Sequence, residues 1–148
     1  MKLKAKASLQ IQKPVEVVFE GIVNPEKMTN YFISESSGSL ENGKEVIWKF
    51  PEFEDTFPVK VTALVKNESI SFVWDPETVV DIRLLKQADG STVVKITEGE
   101  KELNQKNLDW ALSNSGGWAN FLVCLKAFLE YDINLRKGAF DFMRKTDK

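Results

Sequence analysis

The 148-residue chain has no histidine and one cysteine, Cys124. The first absence removes the commonest general base, the imidazole ligand of zinc and iron sites, and every histidine-based triad. The second excludes an intrachain disulfide and a thiolate metal cluster. A lone cysteine within an apolar helical pattern reads as a small core residue. Long hydrophobic runs are also missing. None approaches the roughly 20 residues that a spanning helix needs. The opening MKLKAKASLQIQ lacks a hydrophobic signal region, so a cytoplasmic address is expected. The net charge is only −2. Phosphate binding uses a concentrated basic surface, so neither nucleic acid nor an inserted membrane is an expected partner. GSLENGK lacks the spacing of a phosphate-binding loop. EFED, residues 52–55, lacks the alternating oxygen ligands and central glycine of a calcium loop, and reads as solvated. No metal and no cofactor are therefore expected.

What is present is pattern. Leu3, Ala5, Ala7, Leu9 and Ile11 alternate with lysine, serine and glutamine, which predicts a half-buried first strand whose lysines face solvent or guard a sheet edge. The period then changes. Val15, Val18, Phe19 and Ile22 recur at helical spacing after Pro14, read at a first helical position. Asn24-Pro25 ends that helix and caps a second one carrying Met28, Tyr31 and Phe32. Residues 34–99 read as strands and turns, with a hairpin turn at Glu41-Asn42-Gly43-Lys44. The inward sets are Val46, Trp48, Phe50; Phe57, Val59, Val61, Ala63; Ile70, Phe72, Trp74; Val80, Ile82, Leu84; and Thr92, Val94, Ile96, Glu98. Pro58 belongs near a strand start, an edge or a bulge. From residue 104 Leu108, Leu112, Trp118, Phe121, Leu122, Leu125, Phe128 and Leu129 recur at helical intervals, and the face of Trp118, Phe121, Leu122, Leu125 and Leu129 is expected to meet the sheet. The tail 135–148 reads as a short helix with frayed ends. Neither repeat nor linker is visible, so residues 1–148 read as one domain.

Strands followed by one long helix make an α+β chain, in which a curved antiparallel sheet of six or seven strands grips the C-terminal helix. VFEGIVNPEKMTNYF after the first strand and GGWANFLVCLKAFLE near the end resemble the START-like (SRPBCC) superfamily. Within it, the chain is most similar to the family named after the activator of the heat-shock chaperone ATPase. The resemblance implies a helix-grip fold with a deep cavity between sheet and long helix. Members include lipid carriers, hormone receptors, polyketide cyclases and chaperone activators.

The inward aromatic set then gains a use beyond core packing. Phe32, Trp48, Phe50, Phe57, Phe72, Trp74, Ile82, Ile96, Trp110, Trp118, Phe121 and Leu122 are the candidate ligand-binding residues, with Phe53 among the inward aromatics. Glu98 joins them as a carboxylate on the same face. At its strand end it would reach water; inside a cavity it would orient a ligand or act as a base. The favoured function is non-enzymatic binding of an apolar or amphipathic small molecule. The alternatives are a chaperone-associated stress-response module and, ranked below it, a cyclase-like or hydrolase-like enzyme using Glu98 or Asp109. Gly116-Gly117 either lets the helix bend or pass close to the sheet, or marks a fresh helix capped by Asn114 or Ser115.

Overall fold

In the computed structural model, which describes residues 1–76 and 78–144, the first alternation forms strand β1 (Lys2–Ile11), with Ala5 and Ile11 fully buried. Helices α1 (Val15–Val23) and α2 (Pro25–Met28) follow. Pro14 is the cap of α1 rather than its first helical residue. The Asn24 side chain accepts from the Glu26 N–H at 3.0 Å and caps α2, with Pro25 in its first turn. The two helices are tied by the Tyr31 hydroxyl, which donates to the Gly21 carbonyl at 2.7 Å. Burial holds this phenol well above its ordinary pKa.

The remaining strands are β2 (Glu35–Ser36), β3 (Glu45–Lys49), β4 (Thr56–Val65), β5 (Ser69–Val73), β6 (Val79–Lys86) and β7 (Thr92–Glu102). They form a seven-stranded antiparallel sheet in the order β1-β7-β6-β5-β4-β3-β2. Gly43 turns the chain into β3 at φ 77°, a left-handed conformation that favours glycine. In β4 the alternation breaks. A register shift between Val61 and Ala63 leaves Ala63 exposed and half-buries Leu64 instead. A bulge adds one residue to a strand and reverses the faces beyond it, which simple alternation does not foresee.

The long helix α3 (Gln105–Tyr131) starts at Asn104, whose side chain accepts from the Asn107 N–H at 2.8 Å. Trp118, Phe121, Leu122 and Leu125 bury against the sheet. Leu108 and Leu112 do not share that face; Leu112 is 67% exposed. The helix also closes the β1 edge. Ser115 Oγ accepts from the Lys6 N–H, Glu130 accepts from the Gln12 N–H, and Lys126 donates to the Gln10 carbonyl, each at 3.0 Å. These contacts satisfy edge groups that would otherwise invite another strand. Among the described residues, no helix is long and apolar enough to cross a membrane.

Helix α3 runs unbroken through Gly116 and Gly117. A Cβ at either position would meet nothing within 4 Å, so the glycines serve no close approach to the sheet. Asn114 and Ser115 cap nothing; both sit inside the helix. Gly116 therefore carries only the entropic cost of helical glycine. Gly116→Ala is expected to raise stability by about 0.5–1 kcal/mol, read as a higher denaturation midpoint at unchanged slope.

Beyond α3 the chain turns back instead of forming the expected tail helix. Asp132 takes a left-handed φ of 55°. Residues 135–140 are turns, and Asp141–Met143 make one 3-10 turn. Residues 145–148 of that expected helix lie outside the described residues.

Candidate ligand-binding site

The sheet curves away from α3 at one end, and aromatic side chains line the gap. It is a cavity of about 400 Å³, walled by Phe32, Phe50, Phe53, Phe57, Trp74, Phe121, Phe140, Met143 and Cys124. Asp75, Glu98, Asn114, Gly117, Asn120 and Arg136 complete the lining. The rings interlock edge to face: Phe32 meets Phe121 at 4.7 Å and Phe50 at 5.1 Å, and Phe50 meets Phe57 at 5.4 Å between centroids. Such pairs add about 0.5–1.5 kcal/mol each beyond their buried area, which stiffens the wall. A smaller hollow of about 230 Å³ adjoins it, sharing Phe32, Trp74, Asn114 and Gly117 and adding Trp118.

The candidate residues divide into wall and backing. Phe32, Phe50, Phe57, Trp74, Phe121 and Glu98 line the main cavity, and Trp118 the adjoining hollow. Trp48, Phe72, Ile82, Ile96 and Leu122 are buried but absent from the lining. Trp48 and Phe72 back the wall through edge contacts with Trp74 at 5.9 and 5.7 Å. Trp110 lies elsewhere: its ring is half-buried under the Lys101 ammonium, 4.6 Å from the centroid. Asp109 is exposed and accepts from Gln105 one helical turn away, clear of the cavity.

Glu98 departs most from expectation. It is fully buried and does not reach water. Its Oε1 accepts from Asn114 Nδ2 and Trp118 Nε1, each at 2.9 Å. Its Oε2 accepts from Trp74 Nε1 at 2.9 Å and Thr78 Oγ1 at 3.4 Å. An ionised carboxylate offers about four lone-pair sites, and here all four are taken. The residue thus ties β7 to α3 and to the chain between β5 and β6. Its chief effect is to fix the planes of two indoles beside the cavity.

Besides Asp75, two groups of lining residues lie outside the candidate set. Asn114, Gly117, Asn120 and Cys124 lie one or two helical turns, or a single residue, from Phe121, so the helical period already carried their signal. Burial pushes the Cys124 thiol up, against a smaller downward pull from the Arg136 guanidinium, which leaves it a poor nucleophile. The second group is the strap formed by residues 132–144. It lays Arg136, Phe140 and Met143 across the cavity. Arg136 donates to both oxygens of Glu52, at 2.9 and 3.1 Å. Its guanidinium also lies 5.6 Å from the Phe50 ring and 4.9 Å from Phe140. Arg144 adds a hydrogen bond to the Pro51 carbonyl at 2.8 Å. Glu52, expected in a solvated loop, is buried because it holds this latch.

A sheet, a gripping helix and an aromatic hollow between them define an architecture shared with known proteins. The profile described as activator of Hsp90 ATPase homolog 1-like protein matches residues 12–130. The chain belongs to this family. Its fold is the START-like helix grip. Among solved structures, the crystal structure of SSP2350 from Staphylococcus saprophyticus is 28% identical over 90% of this chain and 96% of that one, with a TM-score of 0.80. The solution structure of an Aha1 dimer from Colwellia psychrerythraea is 20% identical over 87% and 97%, with a TM-score of 0.74. DynU16, from the dynemicin biosynthetic locus, is 19% identical over 87% of this chain and 48% of that one, with a TM-score of 0.77. The last two likenesses show the fold alone. No curated protein matches the chain.

Proposed function

We propose that this member of the Hsp90-activator-like family binds an apolar or amphipathic small molecule, without chemical conversion, in the cavity between the sheet, α3 and the strap. The observation that carries the reading is the cavity itself. It holds about 400 Å³, within the roughly 300–1,000 Å³ of small-molecule sites, in a fold whose families commonly hold hydrophobic ligands. Aromatic wall and few polar groups are the usual composition of such sites. The acid–base alternative has little to work with. Glu98 has no acceptor site to spare for a substrate proton, and Asp109 lies outside the cavity.

Gly117 supplies the test. Its absent side chain leaves open space at the cavity wall. Gly117→Phe is expected to fold at least as stably as the parent while filling the site. A ligand at a hundred times its Kd stabilises the native state by about 2.7 kcal/mol, or about 5–10 °C of melting temperature at this chain length. A panel of lipids and aromatics should produce that shift in the parent and none in Gly117→Phe. A panel with no effect on either protein would sink the proposal.

A further inference from the structure

Resting on that reading, we infer that the preferred ligand is an electrically neutral, ring-containing molecule with a hydrogen-bonding group directed at Asn120, and that ionised analogues are rejected. Charge is the first argument. Three charged side chains line the cavity, and each is already matched within the protein. Asp75 pairs with Lys101 at 3.1 Å. Glu98 accepts from four neutral donors. Arg136 is engaged by both oxygens of Glu52.

An incoming carboxylate would have to share Arg136 with Glu52 while approaching Asp75 and Glu98. An incoming ammonium would find the lone pairs of Glu98 occupied. Either ion would leave water without gaining a counter-charge, and an uncompensated buried charge is costly. A neutral molecule avoids both losses.

Size and surface are the second argument. About 400 Å³ lies near the lower end of the roughly 300–1,000 Å³ of small-molecule sites. That admits a molecule of two fused rings, and the preference for rings over an acyl chain comes from the wall. Phe57, Trp74, Phe121 and Phe140 offer ring faces and edges for stacking. Asn120 supplies the polar contact: it is exposed at the lining, and its amide has no protein partner among the described residues. It can donate to, or accept from, a hydroxyl or carbonyl.

The experiment is calorimetric titration of the full chain with 2-naphthylmethanol, 2-naphthoate, 2-naphthylmethylammonium at neutral pH, and decanol. The neutral bicycle should bind, with both ions at least about 30-fold weaker. Asn120→Ala should weaken 2-naphthylmethanol about 5-fold and leave naphthalene unchanged, a split that a merely structural role would not give. Equal or tighter binding of either ion overturns the neutral assignment while leaving cavity binding intact. Decanol binding without any naphthalene derivative overturns the ring assignment. No binding by any probe removes this inference together with the proposed function.

Discussion

Glu98→Gln is expected to lower the unfolding free energy by about 3 kcal/mol. A hydrogen bond to a charged group contributes about 1.5–3 kcal/mol, and a buried donor left unpaired costs about 1–3 kcal/mol. Glutamine keeps the shape but replaces one acceptor oxygen with an NH₂ group. Two donors at that oxygen would then face a donor, whichever way the amide turned. If the amide nitrogen took the Oε1 place, Asn114 and Trp118 would lose their acceptor. If it took the Oε2 place, Trp74 and Thr78 would. In this size range the loss corresponds to about 6–12 °C of melting temperature. Urea unfolding measures it. The near-ultraviolet dichroism should change as well, because the indoles of Trp74 and Trp118 lose their fixed planes. A change below about 0.5 kcal/mol, the scale of an ordinary surface substitution, would mean that the carboxylate does not hold this junction.

The second large effect belongs to the strap. The Glu52 side chain is 2% exposed and that of Arg136 13%, so Arg136→Ala strands a buried carboxylate. Removing one partner of a buried pair costs about 3–5 kcal/mol when the surroundings stay closed. The strap has few other ties, so it should peel away and relieve part of that cost, leaving a net loss of about 2–3 kcal/mol. Limited proteolysis should then cut within residues 132–144, and ligand affinity should fall with the displacement of Phe140 and Met143. The double variant Glu52→Leu with Arg136→Leu should recover most of the stability, since an apolar pair of similar volume can replace a buried ion pair. If the double variant is as unstable as Arg136→Ala, the latch is not the reason for the loss.

Much of the fold was legible because one-sided burial imposes period 2 on strands and period 3.6 on helices. The β1 alternation, the Asn24 cap and the inward sets of β3, β5, β6 and β7 all followed from it. The β4 bulge was not legible: nothing local distinguishes Thr62 as the residue at which the alternation breaks. Leu112 precedes Trp118 by six residues, about 240° around a helix of 3.6 residues per turn, so the period itself turns it away from the sheet, and its apolar character alone misplaced it. The aromatic wall was legible as an inward set, and its division into lining and backing was not, because that depends on the curvature of the sheet.

Glu98 was visible as an inward carboxylate, yet its role rests on donors 16 to 24 residues away in the chain. The Arg136–Glu52 latch spans 84 residues. Neither has a local signature. Gly116-Gly117 looked like a bend or a restart, and the uninterrupted helix gives Gly117 a different consequence, an open place in the cavity wall.

The most direct test of the central claim is an amide chemical-shift titration of the ¹⁵N-labelled chain with 2-naphthylmethanol. Saturable shifts concentrated at Phe57, Trp74, Gly117, Asn120, Phe121 and Phe140 are expected, together with their loss in Gly117→Phe. Shifts confined to the outer face of α3 around Leu108 and Leu112, or unchanged in the filled variant, would contradict it.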